Sequence, residues 1–226
     1  PNIVQIFSID QYEGCPYLAL ECMDGGSLDQ ALKGQPQPAL VAARLVETVA
    51  RAIQHAHQHH VVHRDLKPSN ILLHRHDGGP STNGSPTNGS ISRELAAAVP
   101  KITDFGLAKQ LDSDSGQTQS GAIVGTPSYM APEQALGYTK DIGPAADIYA
   151  LGAILYEMLT GRPPFKADTP MNTLFQVARE EPVPPSRFQP NLPIDLETIC
   201  LKCLQKEPGK RYTTAEELAE DLCRFL

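Results

Sequence analysis

Two short apolar runs open the chain and are separated by a polar turn. Residues 3–9 and 17–22 are rich in β-branched, aromatic and other apolar side chains, with Glu13-Gly14 between them. This pattern is typical of two strands joined by a turn. The glycines that follow, at positions 25 and 26, break the second strand, and Ser27 is a favourable N-cap for a helix.

The pattern then changes to helical spacing. Residues 39–57 place apolar side chains three and four positions apart, which predicts one long helix with a single buried face. The apolar run 148–159 contains Gly152 and Glu157 and is too short to cross about 30 Å of hydrocarbon, so it predicts a buried helix. Most of the chain after the opening hairpin is therefore expected to be α-helical.

A segment of different composition interrupts this pattern. Between Leu73 and Val99 the residues Thr-Asn-Gly-Ser occur at 82–85 and again at 87–90, a composition that does not support a hydrophobic core. We interpret residues 75–99, approximately, as a flexible insertion at the surface. Such a loop is tolerated because each doubling of its length costs only about 0.6 kcal/mol.

Composition limits the classes of function. With 226 residues and 41% hydrophobic content, the chain can bury roughly 70 to 75% of its unfolded surface in one core. The formal net charge is −7 and no long basic block occurs, which argues against a nucleic-acid partner. No secretory signal opens the chain, and this segment is not expected to contact a membrane.

The cysteines and histidines give little reason to expect a metal centre. Five scattered cysteines argue against a disulfide framework and favour a reducing cytoplasm. Cys200 and Cys203 lie in a stretch of helical spacing, so we expect buried small side chains there rather than zinc ligands. The histidines between positions 55 and 63 could also suggest a metal, but only His63 belongs to a motif.

Three motifs in a fixed order carry the chemistry. His-Arg-Asp-Leu-Lys-Pro-Ser-Asn occupies 63–70, Asp-Phe-Gly occupies 104–106, and Ala-Pro-Glu occupies 131–133. Together they resemble the signature set of protein kinases. The particular residues within them are similar to those of bacterial serine/threonine kinases. The resemblance implies an α+β, protein-kinase-like fold: residues 1–24 as a two-strand remnant of the N-lobe with the hinge, and residues 25–226 as a mostly helical C-lobe.

The resemblance also implies a role for each motif residue in phosphoryl transfer from ATP with Mg²⁺. Asp65 accepts the proton of the substrate hydroxyl, and Lys67 places positive charge on the γ-phosphate. Asn70 and Asp104 are the expected magnesium ligands, both with the hard oxygen donors that this ion prefers. The Asp-x-Lys spacing is similar to that of kinases acting on Ser and Thr of proteins.

Adenine recognition is expected at the hinge. By resemblance, Glu21 and Met23 offer backbone groups to the ring, Leu20 takes the gatekeeper position behind it, and Leu72 forms the floor below it. Backbone groups carry most of this recognition, and the side chains carry little of it. An ordinary strand at the edge of a sheet would therefore have a similar sequence.

Further residues resemble the family's substrate segment and its structural support. Thr126 is expected to bind the Asp65 and Lys67 pair, and Glu133 is expected to pair in the C-lobe with Arg211. Three more positions match supporting residues: Asp147, which is expected to accept hydrogen bonds from the catalytic-loop backbone, and His63 and Phe105, which match layers of the family's regulatory stack.

Arg64, directly before Asp65, indicates control by phosphorylation. Relatives with this arginine commonly depend on a phosphate in the activation loop, and a phosphate paired with arginine can order such a loop. Thr118 and Ser120 resemble autophosphorylation sites of bacterial kinases. Protein substrates are the expected partners, and self-association would serve autophosphorylation.

The parts of a kinase domain that precede these two strands do not occur in this sequence. The chain contains neither the glycine-rich loop nor the phosphate-aligning lysine, so we expect a fragment of a longer protein with little turnover by itself. The longer protein could carry a membrane anchor beside its cytoplasmic kinase domain. Two alternatives are a non-catalytic scaffold related to pseudokinases and a small-molecule phosphotransferase, and the complete catalytic set and the peptide-binding segment argue against them.

Overall fold

The structure is a computed structural model that describes residues 1–74, 88–105, 127–137 and 142–226. For residues 88–91 it describes the backbone. Two small antiparallel sheets and a set of helices make up these parts. In chain order the strands and helices are β1 (Ile6–Tyr12), β2 (Cys15–Leu20), α1 (Leu28–Leu32), α2 (Ala39–Gln58), β3 (Ile71–His74), α3 (Asn88–Ala97), β4 (Val99–Ile102), α4 (Pro132–Ala135), α5 (Pro144–Thr160), α6 (Pro170–Arg179), α7 (Ile194–Cys203) and α8 (Ala215–Phe225).

The first sheet is the hairpin that the sequence pattern predicts, with different strand limits. Tyr12 pairs directly with Cys15, so the strands extend to the turn. Glu13 and Gly14 both have positive φ, at 51° and 80°, as a two-residue primed turn requires. Most side chains of both strands are exposed, which is why their apolar pattern did not mark the strand ends.

The second sheet pairs β3 with β4 and joins distant parts of the chain. Ile71 lies opposite Ile102 and His74 lies opposite Val99. The N-terminal segment adds to it, because the Val4 amide donates to the Ile102 carbonyl at 2.9 Å. This pairing brings the end of the 63–70 motif next to the start of the 104–106 motif.

Helix α5 lies at the centre of the helical part. Every residue from Ala146 to Leu159 is buried, as expected of a helix that is apolar on all sides. Its Gly152 lets α7 approach closely, because a Cβ at that position would lie 2.4 Å from Cys203 Cβ. Both Cys200 and Cys203 are free and buried, in agreement with the sequence prediction of small core side chains.

Helix α3 lies within the segment predicted to be flexible. Asn88–Ala97 is helical, and Leu95 is buried in the core. The Ser92 hydroxyl donates to Gln37 Oε1 at 3.2 Å. The repeated polar residues extend into the first turn of this helix and obscured its apolar positions, so the prediction of a flexible loop was wrong for this part of the range. Residues 75–87, the rest of the segment before the helix, are outside the described parts.

Candidate active site

The catalytic-loop motif follows α2 and is held by a carboxylate from α5. Asp147 is buried, with 1% of its surface exposed. Its Oδ2 accepts from the His63 amide and its Oδ1 accepts from the Arg64 amide, both at 2.9 Å. A loop has no neighbouring strand or helical turn to satisfy its backbone, so a buried carboxylate serves as the partner.

His57 is a further partner of Asp147 that sequence reasoning missed. Its Nε2 lies 2.8 Å from Asp147 Oδ2, and both side chains are buried. The two residues are 90 positions apart, so neither periodicity nor motif spacing connects them. The available signal was the placement of His57 in the last turn of α2, where it faces the core while His55 and His59 are exposed.

Asp65, Lys67 and Asn70 converge, as the motif predicts. Lys67 Nζ donates to Asp65 Oδ2 at 2.8 Å. Asn70 Nδ2 donates to the Asp65 carbonyl at 2.9 Å, which commits the amide nitrogen and leaves the Asn70 side-chain oxygen for another partner. The Asp65 carboxylate is 31% exposed, so it is open to a substrate while its backbone is fixed.

Asp104 reaches this group through the β3–β4 sheet. The Thr103 amide donates to the Asn70 carbonyl at 3.0 Å, which places the start of the second motif beside the end of the first. Asp104 has φ of 59° and Arg64 has φ of 65°, a left-handed conformation that few non-glycine residues adopt. Such conformations cost about 1 to 3 kcal/mol each and occur often at functional sites.

His63 links the catalytic loop to the same strand. His63 Nε2 lies 2.9 Å from the Thr103 carbonyl, and the Asp65 amide donates to His63 Nδ1 at 3.3 Å. These contacts require the tautomer that carries its proton on Nε2. The Phe105 ring packs against His63 with centroids 4.7 Å apart, so the two predicted members of the regulatory stack are in contact.

The two glycines directly after the predicted hinge pair with β3. The Gly25 amide donates to the Leu73 carbonyl and the Leu73 amide donates to the Gly26 carbonyl, at 2.9 and 2.8 Å. A Cβ at Gly25 would lie 2.6 Å from that carbonyl oxygen, so this approach requires glycine. The hinge is thereby brought beside the strand that carries Leu72.

Side chains of the hinge have their own partners. Lys101 donates to Glu21, and this hydrogen bond lowers the pKa of the Glu21 carboxyl. Glu21 also accepts from the Gln5 amide at 3.2 Å. Leu20, the last residue of β2, is 39% exposed, and Met23 lies just beyond the strand. The Glu21 side chain is thus occupied within the protein.

The third motif is held by hydrogen bonds from Arg211 to Glu133. Arg211 Nη1 and Nη2 each lie 2.8 Å from a different oxygen of Glu133. The same guanidinium also donates to three backbone carbonyls, those of Ala145, Gln205 and Lys206. All five of its donors are therefore used, as a buried guanidinium requires.

The residues before the third motif are held to α5 by Tyr129. Its hydroxyl donates to Glu157 Oε2 at 2.5 Å. Burial raises the pKa of the Tyr129 phenol and also that of the Glu157 carboxyl. A small cavity lies between this segment and the catalytic loop, lined by Tyr129, Gln134, Asp65, Lys67 and Asp147 among others.

Several predicted site residues fall on parts of the chain that the structure does not describe. Thr118, Ser120 and Thr126 lie within 106–126, so their roles stay predictions. Gln134 is a described residue that sequence reasoning did not single out, although its side chain contacts the catalytic loop at Arg64.

The described residues are suited to hold magnesium with a nucleotide rather than by themselves. Among them, no group of three or more His, Cys, Asp or Glu side chains could hold a metal ion. Magnesium, however, is usually held by one or two protein oxygens together with substrate phosphates and water. The side-chain oxygens of Asn70 and Asp104 fit that description.

Comparisons with known proteins identify the family of the chain. The sequence model of the protein kinase domain matches residues 1–223. The chain belongs to the protein kinase domain family. It is 36% identical over 229 residues to the serine/threonine-protein kinase PknB of Mycobacterium leprae, covering 99% of this chain and 33% of that protein. It is 40% identical over 213 residues to Pkn1 of Myxococcus xanthus, covering 94% of this chain and 28% of that protein.

The chain spans about a third of the length of these curated relatives. Among solved structures, it is similar to Rad53 residues 1–466 in complex with AMP-PNP, with a TM-score of 0.72 and 23% identity. This match covers 97% of the chain and 49% of the Rad53 chain. It shows the kinase fold, in agreement with the α+β class predicted from the sequence.

Proposed function

We propose that the protein containing this chain is a serine/threonine protein kinase that transfers the γ-phosphate of ATP to Ser and Thr hydroxyls of proteins. The observation that carries the proposal is the convergence of Asp65, Lys67 and Asn70, with Asp104 beside them. The family match and the names of the bacterial relatives support it.

Asp65 and Lys67 supply the two charges that the reaction needs. The Asp65 carboxylate orients the substrate hydroxyl and accepts its proton as the oxygen attacks phosphorus. Lys67, 2.8 Å from that carboxylate, lies where its ammonium can also meet the negative charge of the transferred group. Holding both reactants in line supplies much of the rate in such a reaction.

Asn70 and Asp104 would hold magnesium, and Leu20, Glu21, Met23 and Leu72 would surround the adenine of ATP. Bound magnesium would neutralise the phosphate charges. The nitrogen of the Asn70 side chain is held by the Asp65 carbonyl, so its oxygen is directed elsewhere. The residues of the chain thus fix the relative positions of the base and the metal ligands.

Replacing Asp65 by Asn tests the proposal directly. In the intact protein that contains this chain, Asp65→Asn removes the base with little change in shape, and we expect kcat to fall by about 10²-fold to 10⁴-fold. The measurement is transfer of labelled phosphate from ATP to protein Ser or Thr. Asp195→Asn, which changes an exposed carboxylate at the start of α7, is the control. Undiminished transfer by Asp65→Asn would overturn the assignment.

We also propose that phosphorylation of Thr118 and Ser120 regulates the kinase through Arg64. This rests on the sequence resemblance, and it requires two copies of the protein to meet if each phosphorylates the other. Mass spectrometry of the active protein should find phosphate between residues 107 and 124. Active protein without phosphate there would rule the proposal out.

The cellular setting is proposed from composition. All five cysteines are free thiols, which favours a reducing compartment such as the cytoplasm. Within the described residues, no helix is both long and apolar enough to cross a membrane. Protein substrates are the partners that this function requires.

A further inference from the structure

Gln134 connects helix α4 to the catalytic loop through both ends of its side-chain amide. Its Oε1 accepts from the Ala131 amide at 3.0 Å, which caps the start of α4. Its Nε2 donates to the Arg64 carbonyl at 2.8 Å, across 70 positions of sequence. The two contacts fix the orientation of the amide, because an N–H needs an acceptor and a carbonyl needs a donor.

The Arg64 backbone is therefore held on both sides by side chains from two different helices. Its amide donates to Asp147 of α5, and its carbonyl accepts from Gln134 of α4. Arg64 has φ of 65°, and a left-handed residue of this kind persists only where its surroundings determine it. Its carbonyl belongs to the peptide group that leads directly into Asp65.

We propose that Gln134 is a positioning residue for phosphoryl transfer: by holding the Arg64 carbonyl, it sets the direction in which the Asp65 carboxylate points. The inference rests on the proposed kinase function. The neighbouring residue Glu133 is held by two hydrogen bonds from Arg211. Helix α4, which carries Gln134, is therefore fixed in position. The side-chain amide of Gln134 thereby couples the position of the segment at Ala131 to the position of the catalytic loop at Arg64.

Gln134→Glu separates the two contacts. A glutamate has nearly the same shape and keeps an oxygen that accepts from Ala131, so the cap of α4 is retained. It has no donor for the Arg64 carbonyl, and its second oxygen would face that carbonyl with like charge. Gln134→Leu removes both contacts and shows the effect of losing the cap as well.

Gln30→Glu is a matched control. Gln30 has the corresponding position in α1, where its Oε1 accepts from the Ser27 amide at 3.1 Å and the Ser27 hydroxyl accepts from the Gln30 amide. Its side chain is exposed and has no described contact with the catalytic loop. The same chemical change is thus made at the same helical position without the contact to Arg64.

Two measurements on the intact protein decide the proposal. In Gln134→Glu we expect kcat to fall roughly 10-fold to 100-fold, as small misplacements of catalytic groups do, with the KM for ATP within about threefold of wild type. Amide exchange should become faster in residues 63–66. Gln30→Glu should leave both kcat and amide exchange unchanged. In Gln134→Leu, kcat should fall at least as far as in Gln134→Glu.

A kcat for Gln134→Glu within about threefold of wild type would overturn the positioning role, whatever the exchange shows. An equal loss of kcat in Gln30→Glu would also overturn it, since the effect would then belong to helix capping. If the wild-type protein transfers no phosphate at all, the proposed function fails instead. The contact is then decided by exchange alone, and unchanged exchange in residues 63–66 would refute it.

Discussion

Glu133 and Arg211 form an ion pair with two 2.8 Å hydrogen bonds across 78 positions of sequence. The Arg211 side chain is fully buried and that of Glu133 is 6% exposed. The pair joins the third kinase motif to the segment between α7 and α8. Burying either charge without a partner would lower the stability of the fold. Each of the two side chains therefore depends on the other to be buried.

Removing Arg211 should therefore be strongly destabilising. Arg211→Ala leaves the Glu133 carboxylate and three carbonyls without their donor, and we expect a loss of about 3 to 5 kcal/mol in the free energy of unfolding. Urea denaturation measures it. Arg224→Ala is the control, because its pair with Asp221 is largely exposed and should contribute about 0 to 1 kcal/mol. Similar midpoints for both variants would contradict the prediction.

Two tyrosines of α5 should respond oppositely to loss of their hydroxyl groups. The buried Tyr149 hydroxyl has no hydrogen-bond partner among the described residues, whereas the Tyr156 hydroxyl donates to the Val183 carbonyl at 2.8 Å. Tyr149→Phe should raise the free energy of unfolding by about 1 kcal/mol and Tyr156→Phe should lower it by a similar amount. Thermal unfolding of both variants is the measurement. A loss of stability in Tyr149→Phe would show that its hydroxyl is bonded.

Gly152→Ala should destabilise the protein although alanine favours helices. In an exposed helix this change would gain about 1 kcal/mol, but here the new methyl group would lie 2.4 Å from Cys203 Cβ. We expect a net loss of about 1 to 3 kcal/mol from overpacking between α5 and α7, measured by urea denaturation. Gly209→Ala, where no atom lies within 4 Å of the new methyl group, is the control. Increased stability of Gly152→Ala would refute this account.

Lys206 should make stability depend on pH above neutrality. Burial lowers its pKa to about 8, while its Nζ donates to the Val177 carbonyl at 2.8 Å and lies 4.2 Å from the centre of the Phe165 ring. Between pH 8 and the ordinary pKa of lysine, the unfolded chain binds the extra proton, so the free energy of unfolding rises with pH. Solvent screening limits the size of the rise, because Lys206 is only partly buried.

The test compares wild type with Lys206→Met from pH 7 to pH 10. Methionine keeps the apolar contact with Phe165 and removes the titrating group. The unfolding free energy of wild type, minus that of the variant, should increase across this range. The subtraction cancels titrations common to both proteins, and the charged neighbours of Lys206, namely Glu180, Glu181 and Arg211, are the same in both. A constant difference would show that folding does not lower the pKa of Lys206.

Sequence reasoning succeeded where a signal is local. The predicted helix 39–57 is observed as Ala39–Gln58, because its apolar face repeats within each turn. Ser27 caps α1 as predicted, since capping is decided within four residues. Asp65, Lys67 and Asn70 converge because the chain between them is short.

Sequence reasoning failed where contacts join distant segments or where composition is misleading. His57 lies among exposed histidines in the sequence, and its partner Asp147 lies 90 positions away. Gln134 binds a backbone carbonyl, which any sequence supplies, so no residue pattern marks its partner. Helix α3 begins within a repeated polar stretch, and it packs against α2, which is a separate part of the sequence.

The burial of α5 has a consequence for how the activity can be lost. Asp147 sets the position of the catalytic loop, and its own position is set by the packing of the helix that carries it. A close-packed interior transmits small displacements instead of absorbing them. Substitutions at core positions far from Asp65 can therefore displace the catalytic loop in a molecule that still folds, so a change outside the three motifs can impair the proposed phosphoryl transfer.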